Sequence, residues 1–261
     1  MKIFGIERTL ILPQSSHTYK LYFALLFLLS TTCYSQRTLY PGGTIIVHRN
    51  RNGFYIGADS KIVGDSSRIC KIVIAGKTVV ATVGILEIKN IDVTKIVRGV
   101  INKKMSFLEM MAAFSREYGA AFGRSGINLK GASGELMTAV FVKPSTIPDT
   151  LFAYCTITFR QIDSVNVNLI FHKNITHYPD ERDATQAFGV ITGIDFKILH
   201  DALTANVNDP IAIANTIRGA IISQVAATPN LVGEPIDILG IEPNGTMHWL
   251  GEESPCNQET E

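Results

Sequence analysis

The chain has 261 residues, of which 46% are hydrophobic and 18% charged. That composition builds a large core and excludes a disordered chain. A net charge of +1 with no polybasic run gives nucleic acid no electrostatic footprint, and no apolar run reaches the roughly 18–20 residues of a membrane-spanning helix.

Lys2, Arg8 and Lys20, against the single acid Glu7, precede the apolar run Leu21 to Leu29. Ser30, Thr31, Thr32 and Cys33 follow. A basic segment, a short apolar core and small residues form the pattern of a secretory signal peptide, here spanning 1–35. Its removal leaves Gln36 at the terminus, with a short leader over 36–43. A buried core helix is the structural alternative. A lipid anchor on Cys33 is disfavoured, because Ser30 stands where a lipobox has Leu. The expected location is therefore secreted, or periplasmic in the cell envelope, with no membrane contact once the signal is gone. Three cysteines remain after the signal, Cys70, Cys155 and Cys256. An odd number leaves at least one as a thiol or paired between chains, and no CxxC pair suggests zinc. Asn174-Ile-Thr176 and Asn244-Gly-Thr246 match the glycosylation acceptor pattern.

From Thr44 the pattern is that of strands. TIIVHR, a turn at Arg51-Asn52-Gly53 and FYIGADS predict one hairpin, with Asn-Gly as the turn signal. KIVIA, a Gly76-Lys77 turn and TVVATVG predict a second. Val93, Ile96, Val97, Val100 and Ile101 then fall at helical spacing. Ser106 with Glu109 is a capping box for a second helix, whose apolar face is Phe107, Met110, Met111, Phe114 and Tyr118. Gly123 to Gly134 reads as a loop. ELMTAVFV, LFAYCTITF and VNVNLIF predict three more strands. Asp180, Glu181 and Asp183 read as a solvated acidic loop, and His172 and His177 as surface residues. Two helices follow, Asp195 to Ala205 and a second capped by Asp209 with Pro210 at its first position. The latter runs to about Ala227 with Ile213, Ile217, Ile221 and Val225 on one side. IDILGIE and TMHWL close the domain around Pro243-Asn244-Gly245, and a polar tail, 252–261, is expected to fray. Two antiparallel sheets packed face to face with helices outside bury both helical pairs in four layers. The expected fold is thus an α+β, αββα sandwich over 44–251.

The sequence holds no GxSxG elbow, no HExxH and no P-loop, and its six histidines lack metal spacing. No cofactor or metal is expected. The ordered set that remains is Gly43-Thr44 opening a strand, Gly53 at a hairpin, Gly57-Ala58-Asp59-Ser60-Lys61, Lys71 and Gly84. This set resembles the first half of a proteasome β-type subunit and of the peptidase ring of the bacterial two-component protease. The resemblance covers about residues 43–250. It implies the sandwich of N-terminal-nucleophile hydrolases, assembly into a ring or dimer, and a peptide or other amide substrate.

The implied chemistry is coherent. A Thr hydroxyl needs a base, and a free α-amine of pKa near ~8 can serve. One residue supplies both groups only at a chain terminus, which requires cleavage of Gly43–Thr44. Lys71 beside the hydroxyl favours its deprotonated form, Asp59 holds Lys71, and the N–H near Gly84 meets the oxyanion. Thr192-Gly193 stands for the Ser-Gly that catalytic subunits carry before the third helix. The candidate catalytic residues are Thr44, Asp59, Lys71, Gly84 and Thr192. Each also has a structural reading: strand residue, turn closer, solvated charge or loop residue.

Two departures qualify the resemblance. Thr44 and Asp59 are one residue closer than the family's spacing, so Gly43 competes with Thr44 for the nucleophile position. The Asp and Ser that orient the terminal amine are absent from Pro229-Asn230-Leu231-Val232-Gly233, where Asn230 is the nearby polar substitute. The first expectation is a secreted threonine hydrolase. The alternatives are a catalytically inactive subunit of the same fold, serving assembly or binding, and an unrelated envelope binding domain.

Overall fold

The computed structural model describes residues 42–61, 69–88, 91–101, 105–125, 134–144, 152–161, 167–170, 183–192, 194–251 and 256. The signal peptide, the leader before Gly42, His172, His177, Asn174, Asp180 and Glu181 lie outside the described residues.

The first hairpin joins β1 (Thr44–Asn50) to β2 (Gly53–Asp59). Arg51 and Asn52 form its two-residue turn, and the Asn50 side chain accepts the N–H groups of Asn52 and Gly53. The second joins β3 (Ile72–Ala75) to β4 (Thr78–Gly84) through Gly76-Lys77, with Gly76 at φ 58° as a primed turn requires. A two-residue pair, β5 (Glu87–Ile88) and β6 (Ile91–Asp92), leads into α1 (Val93–Ile101) and α2 (Phe107–Ser125). The expected capping box opens α2: Ser106 N–H donates to Glu109 Oε2 at 2.8 Å and Glu109 N–H to Ser106 Oγ at 3.3 Å.

Strands β7 (Gly134–Pro144), β8 (Phe152–Gln161), β9 (Val167–Ile170) and β10 (Ala184–Gly189) follow. Next come α3 (Phe196–Ala205) and α4 (Pro210–Ala227), then β11 (Ile236–Ile241) and β12 (Met247–Trp249). Asp195 and Asp209 cap the two helices through Oδ1, as their sequence positions predict.

Among the described residues the strands form two five-stranded antiparallel sheets, ordered β10-β1-β2-β11-β12 and β3-β4-β7-β8-β9. Three apolar clusters define the layers. Ile45, Val47, Phe54, Ile56, Val79, Ala81 and Val140 pack between the sheets. Val97, Met111, Phe114, Tyr118, Phe141 and Phe159 bury α1 and α2 on one sheet. Ile46, Tyr55, Leu203, Ile213, Ile217 and Ile221 bury α3 and α4 on the other. The arrangement is the α+β sandwich expected from the sequence. Burying each such side chain stabilises the fold by roughly 1.5–3 kcal/mol.

Three features depart from expectation. Strand β10 was not legible, because ATQAFG lacks β-branched alternation; it forms by pairing with β1. On α4 Val225 packs with Ile213, Ile217 and Ile221 as expected, but the fully buried row also takes in the polar Gln224. The tail is not uniformly frayed: Cys256 is 3% exposed and disulfide-bonded to Cys70. Cys155 is buried against the α1–α2 core as a thiol.

Candidate functional site

The open ends of β1, β2 and β4 converge with the Leu231–Gly233 segment. Asp59 ends β2 and is fully buried. Its Oδ1 accepts from Lys71 Nζ at 2.8 Å and from the Thr44 backbone N–H at 2.6 Å. Its Oδ2 accepts from the backbone N–H groups of Gly233 and Lys61, each at 3.3 Å. Four donors on one carboxylate offset the cost of burying its charge. Lys71 is 1% exposed, and burial pushes its ammonium below the usual lysine range. Asp59, by charge and hydrogen bond, and Asp237, by charge, oppose that shift. Asp237 is itself buried and accepts the Ser60 hydroxyl at 2.6 Å.

Gly43 fills the space in front of this pair. Its N–H donates to Leu231 O at 2.7 Å and its carbonyl accepts from Val190 N–H at 2.8 Å. It sits at φ 93°, the left-handed region where side chains are strained. A Cβ placed on it would lie 2.8 Å from Asp59 Oδ1, closer still to Lys71 Nζ, and 3.1 Å from Val83 Cγ2. The Lys71–Asp59 pair therefore faces the side-chain position of residue 43.

Thr44 faces the other way. Successive strand residues point to opposite sheet faces. Ile45 lies between the sheets and Ile46 on the α3–α4 side, so Thr44 shares the face of Ile46. Its hydroxyl donates to Val190 O at 2.6 Å. Only its backbone N–H enters the Lys71–Asp59 group.

Gly84 joins through its backbone. At φ 113° its N–H donates to Gly42 O at 3.1 Å, and a Cβ there would come within 2.7 Å of Met137 Cα. Thr192 is exposed, two residues beyond Val190, and is not among the groups that meet Asp59 or Lys71. Asn230 is exposed as well, while beside it the Leu231 carbonyl accepts from Gly43 N–H and the Gly233 N–H donates to Asp59 Oδ2. Sequence reasoning missed Val190 and Asp237, and quoted Leu231 and Ser60 without giving either a role. Val190 and Leu231 act through backbone atoms, which leave no trace in residue type. Among the described residues no group of three His, Cys, Asp or Glu side chains could hold a metal ion.

The sequence matches no protein-family model and no curated protein. Among solved structures it is similar to two of Thiobacillus denitrificans BPH, one in complex with epoxomicin. The complex aligns at 17% identity and TM-score 0.41, over 76% of this chain and 98% of that one. The other gives 16%, 0.42, 76% and 97%. A Gly-1 mutant of Anbu from Hyphomicrobium sp. strain MC1 aligns at 12% identity and TM-score 0.48, over 83% of this chain and 93% of that one. These neighbours are bacterial proteasome-like proteins. At such identities and scores they assign no activity to this chain.

Chemically, the site holds a buried ammonium and a multiply bonded carboxylate against one backbone position. It could lower the pKa of a hydroxyl or thiol placed at residue 43. The chain supplies a hydrogen atom there.

Proposed function

We propose that this chain is a non-hydrolytic, proteasome-like protein that acts outside the cytoplasm as a binding or assembly subunit. The single observation that carries this reading is the aim of the Lys71–Asp59 pair at Gly43, whose side chain is absent. Secretion is supported by the basic, apolar and small-residue order of residues 1–35, and by the Cys70–Cys256 disulfide, since such bonds persist in oxidising compartments. A ring or dimer of identical copies, and peptide or amide ligands, follow from the family resemblance.

One observation favours the threonine-hydrolase reading. The Thr44 nitrogen lies 2.6 Å from Asp59 Oδ1, where an α-amine freed by cleavage of Gly43–Thr44 would be held. The deciding experiment is intact mass and N-terminal sequencing of protein secreted by its own host, followed by an amide-directed electrophilic probe. The proposal expects Gln36 at the terminus, an intact Gly43–Thr44 bond and no labelling. Thr44 at the terminus with a labelled hydroxyl would overturn it. Light scattering on the same sample tests assembly, and a strictly monomeric protein would remove that part of the reading.

A further inference from the structure

We propose that Cys256 is a positioning residue of the Lys71–Asp59 site: through its bond to Cys70 it sets the Lys71 ammonium against the Asp59 carboxylate. The claim goes beyond the functional reading above and holds whether or not the site is catalytic.

Lys71 lies one residue before β3, so the sheet ladder does not clamp it from both sides. Its backbone carbonyl accepts from Thr82 N–H at 2.9 Å, while its long stem carries many rotamers. A buried ammonium needs fixed geometry, because attraction to its partner offsets desolvation only when the contact is good. The neighbour that can fix it is Cys70, which is 5% exposed and covalently joined to Cys256, 186 residues away.

The other end of the bond packs against the same buried group. Cys256 Sγ lies 3.2 Å from Asp237 Oδ2, the oxygen that accepts the Ser60 hydroxyl. Ser60 follows Asp59 directly, its N–H donates to Pro235 O at 2.9 Å, and its carbonyl accepts from Ile69 N–H at 2.9 Å. The disulfide, Asp237 and Ser60 thus form one wall behind the Lys71–Asp59 pair. Asp237 also favours the charged form of Lys71.

The test compares full-length oxidised protein with the double variant Cys70→Ser/Cys256→Ser. Both are treated with formaldehyde and cyanoborohydride at pH 8, and methylation of Lys71 is followed by peptide mass spectrometry, with exposed Lys197 as the reagent control. Maleimide labelling of Cys155, buried in the α1–α2 core, reports global opening in parallel. The expected result is at least about a tenfold faster reaction at Lys71 in the variant, with Cys155 unchanged. Two results would overturn the proposal. One is an unchanged Lys71 rate. The other is acceleration of Lys71 and Cys155 together, which would make the disulfide a general staple. Neither result bears on hydrolysis, so failure here leaves the functional reading intact.

Discussion

Two buried polar assemblies in this molecule are built on opposite terms. Around Asp59, charge is matched: one carboxylate takes a lysine ammonium and three backbone N–H groups. Around His48, polar atoms are buried with fewer partners. His48 Nδ1 and His200 Nδ1 each lie 3.0 Å from Thr185 Oγ1, which can donate to one ring and accept an N–H from the other. Among the described residues His48 Nε2 has no partner, and separately, on α4, both amide atoms of the fully buried Gln224 have none. The first assembly invests donors in keeping charge inside the fold. The second tolerates burial only while it stays neutral. A buried polar group therefore signals a prepared site when its donors converge on one position, and a packing compromise when they do not.

The sharpest way to break this contrast is to remove the cation. Lys71→Met leaves the Asp59 charge buried without its ion-pair partner, and should cost about 3–5 kcal/mol of unfolding free energy. Urea denaturation measures it; a cost below about 1 kcal/mol would mean that the pair is not held as a charged unit.

Acid should strike the other assembly. Burial first, then His200 and Arg49, push His48 from 6.5 down to about 4. As pH falls, the unfolded chain takes up the proton first. The stability contributed by neutral His48 is complete above pH 6.5, declines between 6.5 and 4, and is lost below that. The full loss is on the order of 3 kcal/mol. His48→Asn should flatten that part of the pH profile, and an unchanged slope would place the acid sensitivity elsewhere.

Smaller effects sharpen the picture. Thr44→Val removes the hydroxyl bond to Val190 O but keeps the backbone N–H on Asp59, so it should cost about 1 kcal/mol. Any amide hydrolysis lost with it would move the reacting group back to Thr44. Gln224→Leu replaces two unpartnered amide atoms with an apolar side chain of similar size. It should be neutral or raise stability by up to about 1 kcal/mol in the same urea titration.

Much of this was legible in the residues. The hairpins were visible in β-branched runs interrupted by Asn52-Gly53 and Gly76-Lys77, and the helices in their apolar spacing and their Ser106, Asp195 and Asp209 caps. Strand β10 was hidden, because a strand of small and polar residues is defined by its partner. It supplies the chain end, Gly189 and Val190, that fixes Gly43 and Thr44. The convergence of Asp59 and Lys71 was implied by the family resemblance. Which residue they face was not, because a one-residue change of register turns every strand side chain to the other face. Gly43 and Thr44 are adjacent, so that register decides between a vacant position and a hydroxyl. The Cys70–Cys256 pairing was equally closed to sequence, since three cysteines permit three pairings.

The disulfide has a last, topological consequence. It turns residues 70–256 into a closed ring of covalent bonds. A protease that cuts that ring once, anywhere along it, divides the polypeptide but releases nothing. The two fragments stay tethered and part only when the bond is reduced. A single nick within that ring becomes survivable damage. On a gel without reductant the nicked and intact molecules run at the same mass, and only reduction shows which is which.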